Sequence, residues 1–188
     1  ANVVQQSPLF AQERAPTSVA YAENQSMFLD SLVSDAAWRG RYARDRAGSV
    51  VPWELLEEDI RSRHPYAVFA LRRMLSVPYF EKALYELPEE EVTSERIQEL
   101  AAELAVKIGG AKAPLPLMAI PHILSDESSC YYHGYVLAEM AVHQTRAHFM
   151  REHGYIVDNA AVGPALSESY WKPGNSAAFL DLVQGLTG

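Results

Sequence analysis

The chain has 188 residues, 48% hydrophobic, 21% charged and 10% aromatic, which suits one domain with a real core and excludes a low-complexity or disordered chain. Its 24 acidic and 16 basic residues give a net charge of −8, which disfavours nucleic acid or an anionic membrane surface as partner. A single cysteine cannot close an internal disulfide, and no apolar run of about 18 residues is present to span a bilayer as a helix.

Residues 1–18 are mixed, with Pro8 and Pro16 as breakers. A helical pattern then covers about 18–44, with Met27, Phe28, Leu29, Leu32, Val33, Trp38 and Tyr42 apolar and a basic tail that suits a helix C-terminus. Pro52 opens a helix over 53–60. His64-Pro65 interrupts, 66–75 resumes, and Ser76-Val77-Pro78 starts a further helix with Phe80, Leu84 and Leu87 on it. After an acidic break at 88–91, Thr93 or Ser94 caps a helix through Ile97, Leu100, Leu104 and Ile108, and Gly109-Gly110 ends it. Residues 111–121, with Pro114, Pro116 and Pro121, read as extended or coil, and 125–129 as a turn. A strong helix follows over about 129–152, ended by Gly154, then two short helices near 162–170 and 176–186, separated by Lys172-Pro173-Gly174. No stretch alternates with period two, and no fixed-period repeat is present. The expected fold is all-α, with 1–188 as a single helical domain.

Six histidines are present, and none stands in an HExxH arrangement. His143, His148 and His153 follow at five-residue steps, about 140° apart round a helix, so they do not converge as ligands. On spacing alone each histidine reads as a surface or structural residue, and Cys130 as a buried or half-buried one. There is no GxGxxG, P-loop or G-x-S-x-G motif.

Two regions carry more. In Tyr21-Ala22-Glu23-Asn24-Gln25-Ser26-Met27-Phe28-Leu29-Asp30, Glu23 and Asp30 are seven apart and share a helix face. They read either as a metal ligand with a supporting carboxylate or as ordinary solvent-facing acids. In the second region His122 precedes Tyr131-Tyr132-His133-Gly134-Tyr135. A loop imidazole beside helix tyrosines can donate hydrogen bonds to a developing oxyanion. The competing reading is a tyrosine-rich packing helix.

At these two regions the chain resembles the M3 family of zinc metallopeptidases, of the thimet oligopeptidase and oligoendopeptidase F type. Glu23, Ser26 and Asp30 match the family's V-E-x-P-S-Q-x-x-E pattern, with Gln25 and Met27 at its Pro and Gln. Pro121-His122 matches a P-H loop, and Tyr132-His133-Gly134-Tyr135 a Y-Y-G-Y helix start. Lys172-Pro173-Gly174 and the short helix after it look like the family's closing segment. The resemblance spans most of 18–188 and is weaker over 48–112.

The resemblance implies a helical C-terminal part of a zincin catalytic domain. It makes Glu23 the third zinc ligand and gives Asp30 a place behind it. His122 and Tyr135 become the groups that bind substrate and stabilise the transition state, and Tyr132 a further substrate-binding tyrosine. The family's usual second functional tyrosine falls on Ser128, so Tyr131 or another segment must compensate. The zinc ligand set is incomplete within 1–188. The HExxH segment is expected just upstream of Ala1 or on a companion chain, which becomes a partner beside a short peptide substrate; 1–188 alone is then expected to be inactive. Low cysteine and the absence of a secretory leader pattern favour the cytoplasm. Two alternatives remain open: a helical structural or interaction module, and a non-catalytic peptide-binding relative.

Overall fold

The computed structural model describes residues 18–110 and 117–188, apart from the side chain of Asn175. The expectations for residues 1–17 and 111–116 lie outside these. The described residues are all-α, with one isolated antiparallel bridge, Arg44 to Val50, and no sheet. The helices are α1 (Val19–Val33), α2 (Ala36–Tyr42), α3 (Trp53–Arg63), α4 (Ala67–Tyr85), α5 (Ser94–Leu104), α6 (Tyr132–His153), α7 (Val162–Leu166) and α8 (Phe179–Thr187). Short 3-10 turns at His64–Tyr66, Glu89–Glu91, Leu117–Ala119 and Pro121–Leu124 join several of them.

Several boundaries differ from the sequence reading. The helical pattern over 18–44 is broken after Val33, because Asp35 caps a new helix: its Oδ1 accepts from the Ala37 amide at 2.8 Å and the Trp38 amide at 3.4 Å. The other Asp35 oxygen takes a hydrogen bond from Arg146, whose guanidinium also donates to Ser31 Oγ at 3.1 Å. The opposite happens at Pro78, expected at a helix start. It sits inside α4, where burial of Val77 and Phe80 offsets the backbone hydrogen bond that proline cannot make. The strong helix expected from about 129 begins at Tyr132.

The chain forms two compact units. In the first, the described residues up to Ile60 join Leu137–Gly188. Ser18 caps α1, its side chain accepting from the Tyr21 amide at 3.2 Å. The face of α1 carrying Ala20, Tyr21 and Phe28 is buried in a core with Val142, Phe149, Leu166 and Tyr170. Phe28 meets Phe149 edge-on with centroids 6.3 Å apart. Buried polar groups in this core are mostly paired: Tyr21 OH donates to the Tyr170 carbonyl at 3.0 Å, and the Tyr170 and Thr145 hydroxyls lie 2.7 Å apart. Burial pushes the phenols of Tyr21 and Tyr170 above their ordinary value, so both stay protonated donors. Arg41 and Tyr42 both bond Asp158, whose carboxyl these bonds, Tyr42's first, hold below its ordinary range.

The second unit, Arg61–Val136, packs Val77 and Phe80 of α4 against Leu100, Ala101 and Leu104 of α5, with Leu117 and Ile123 beneath. Thr93 caps α5, accepting from the Arg96 amide at 3.2 Å. Gly110 ends the following turn at φ +80°, where Arg72 closes over it and donates from Nε to the Ile108 carbonyl at 2.7 Å. The positive φ favours glycine here, and a Cβ would lie 3.0 Å from that guanidinium, which would have to shift slightly.

Asn24, 1% exposed, is the residue whose buried side chain is wholly unpaired: among the described residues neither its amide nitrogen nor its oxygen has a hydrogen-bond partner. Stranding such a group costs about 1–3 kcal/mol. Asn24→Leu keeps the branching and removes the stranded atoms. Urea unfolding is expected to show unchanged stability or a gain of about 1–2 kcal/mol. A loss of more than about 1 kcal/mol would mean the amide is satisfied in solution.

Candidate functional site

In the second unit the residues that carry chemistry converge on one imidazole. Pro121, at the first position of its 3-10 turn, places His122 next to Ile123, whose side chain is anchored in the core. Ten residues on, α6 opens with Tyr132 and Tyr135, one turn apart. His122 Nε2 lies 3.3 Å from Tyr135 OH. The rings of Tyr132 and Tyr135 meet the imidazole edge-on, with centroids at 5.0 and 5.7 Å. Tyr132 also packs against the core of this unit. Gly134 is buried between the two tyrosines.

Three residues after Ser128, a further tyrosine reaches the imidazole. Tyr131, just before α6, has its ring 5.7 Å from His122 and 5.2 Å from Tyr135. The imidazole is therefore in contact with three tyrosine rings, although sequence matching assigned functional roles to only two of them.

The two nitrogens of His122 differ. Nε2 faces a phenol, while Nδ1 is shielded from solvent and has no hydrogen-bond partner among the described residues. If Nε2 carries the proton, the imidazole donates to the Tyr135 oxygen, and the phenol proton can be directed to a third group. A phenol whose oxygen accepts from an imidazole is a polarised donor, suited to meet charge as it develops on a carbonyl oxygen.

Two further residues reach this cluster from α4 and were not visible in the sequence. The Cys130 amide donates to Glu81 Oε1 at 2.5 Å. Tyr85 OH lies 3.0 Å from the Ile123 carbonyl and 3.3 Å from the same Glu81 oxygen. Burial and the neighbouring Glu81 carboxylate push the Tyr85 phenol above its ordinary value, which keeps it a donor. Glu81 and Cys130 are 49 positions apart, so no local spacing signals the pair.

Glu23 and Asp30 lie on α1 in the first unit. Glu23 is half-buried and Asp30 exposed. Ser26 Oγ lies 3.0 Å from the Glu23 carbonyl and 3.2 Å from Oε2 of its carboxylate, which orients the acid along the helix. Gln25, at the family's proline position, accepts from Trp171 Nε1 at 2.6 Å and so ties α1 to the segment before α8. Among the described residues no group of three His, Cys, Asp or Glu side chains gathers to hold a metal ion. A zinc site needs three or four such ligands, so Glu23 fits as one ligand and the described donors do not complete a site.

No curated protein matches the chain. The model of Peptidase family M3 matches residues 6–188, which takes in the Glu23 helix, the His122 turn, the tyrosines of α6 and the closing segment, and the chain belongs to that family.

Proposed function

We propose that this chain is the C-terminal, substrate-side part of a zinc metallo-oligopeptidase that hydrolyses peptide bonds in short peptides in the cytoplasm. The observation that carries the reading is the contact of His122 Nε2 with Tyr135 OH, within a ring of tyrosines, in a chain of the M3 family. Glu23 supplies one zinc ligand, supported by Asp30. The other two come from an HExxH segment outside 1–188, upstream in the same protein or on a companion chain. When bound, the zinc ion supplies Lewis-acid and water-activating chemistry.

The chain's own residues act on the substrate carbonyl. Tyr132 and the neighbouring rings flank the peptide and exclude water. His122 donates through Nε2 to the Tyr135 oxygen, which directs the phenol proton at the scissile carbonyl oxygen. That oxygen gains charge only as the bond is attacked, so the hydrogen bond is stronger in the transition state than with bound substrate. Removing one such donor costs about 10²–10³ in kcat in well-studied hydrolases. A second reading is a peptide-binding relative without catalysis; peptide binding without cleavage by the complete, zinc-supplied protein would support it.

Two outcomes test the proposal. In the complete, zinc-loaded protein, Tyr135→Phe is expected to lower kcat for a fluorogenic short peptide by about 10²-fold, with KM within about threefold. An equal loss in KM alone would reassign Tyr135 to uniform substrate binding. Isolated 1–188, holding one carboxylate ligand, is expected to bind zinc no tighter than on the order of 10 µM by calorimetry and to cleave no peptide. Zinc-dependent cleavage by that chain would overturn the assignment of the missing ligands.

A further inference from the structure

We propose that Glu81 and Tyr85 of α4 are positioning residues for the His122–Tyr135 pair. From adjacent turns of one helix they hold both ends of the segment that joins His122 to the tyrosine helix. The role rests on the reading of that pair as the substrate-carbonyl site.

At the first end, Tyr85 OH lies 3.0 Å from the carbonyl of Ile123, the residue that follows His122. The Ile123 side chain is buried in the core of the same unit. His122 is therefore attached to a residue held at both backbone and side chain. At the second end, the Cys130 amide donates to Glu81 Oε1 at 2.5 Å, immediately before Tyr131 and two residues before α6. Cys130 has φ +57°, a left-handed conformation that a non-glycine residue keeps only when its surroundings enforce it. Its hydrogen bond to Glu81 provides that enforcement.

The cost of this arrangement argues for a role. Glu81 is 2% exposed, and no lysine or arginine pairs with it among the described residues. Burying a carboxylate without a cation is expensive, and packing alone would favour an apolar residue here. The carboxylate instead receives the Cys130 amide, with the Tyr85 hydroxyl 3.3 Å away. Glu81 and Tyr85 are four residues apart on α4, so a single helix face sets the distance between the two ends of the segment. Ring contacts of about 5–6 Å between His122 and three tyrosines depend on that distance.

The test reads the imidazole directly, in isotope-labelled 1–188, by NMR. In the unmodified chain, the surrounding tyrosine rings displace the His122 ring signals from the position of a free histidine. Glu81→Ala is expected to abolish that displacement, while the signals of His143 and His153 in the other unit stay in place. Glu81→Gln retains an oxygen acceptor for the Cys130 amide and is expected to restore it. Tyr85→Phe, which removes only the hydroxyl, is expected to lose part of it and serves if Glu81→Ala does not fold. Unchanged His122 signals in folded Glu81→Ala or in Tyr85→Phe would overturn the positioning role, as would a Glu81→Gln chain that behaves like Glu81→Ala. None of these readouts requires turnover. Loss of the displacement, together with no peptide cleavage by the complete, zinc-loaded protein, would therefore contradict the peptidase reading and leave the positioning role standing.

Discussion

Between the short turn that carries His122 and the long helix that carries the tyrosines, the chain passes through a left-handed residue, and it does so against one buried carboxylate. A buried acid without a cation is tolerated only where its lone pairs are used. Glu81 takes the Cys130 amide at one end of the connection, and Tyr85 holds the Ile123 carbonyl at the other. With both ends fixed, α6 enters with Tyr132 and Tyr135 facing the imidazole. The core beneath, Val77 and Phe80 against Leu100 and Leu104, keeps α4 from yielding.

The first unit does a different task with similar means. Its apolar core carries α1, and Ser18, Ser26 and Gln25 set the ends and the polar side of that helix. Glu23 is left half-buried, with a hydroxyl beside its carboxylate. A carboxylate can serve as one metal ligand, and among the described residues no group of three metal-binding side chains accompanies it. The proposed chemistry of this chain accordingly rests on hydrogen-bond donation to a carbonyl oxygen and on the orientation of the donors.

Much of the helical order was legible from apolar spacing, because the longer helices bury apolar residues along one face. Thr93 marked the start of α5 and Gly110 the end of the turn that follows it, since caps act within a few residues. The break at Asp35 was not legible. Its capping oxygen is local, but its other oxygen answers to Arg146, 111 positions away. Pro78 misled for a related reason: its local signal says start, and the tertiary burial of Val77 and Phe80 overrides it. At the site, His122 and the tyrosines could be read because their order along the chain preserves a motif. Tyr131, an open option in the sequence, has its ring against His122 and Tyr135. Glu81 and Tyr85 had no signal, because an acid and a tyrosine four apart on a helix look like ordinary surface residues until the segment they hold is in place.

Discrimination between ground state and transition state tests the central claim most directly. The measurement compares the binding of a phosphinic peptide, whose tetrahedral anionic centre mimics the attacked carbonyl, with that of the matching uncleaved peptide, in the complete zinc-loaded protein and its Tyr135→Phe variant. If the His122–Tyr135 pair acts on developing charge, the variant loses about 30-fold or more in phosphinate affinity and less than about threefold in peptide affinity. Equal losses for both ligands, or none for either, would contradict that role.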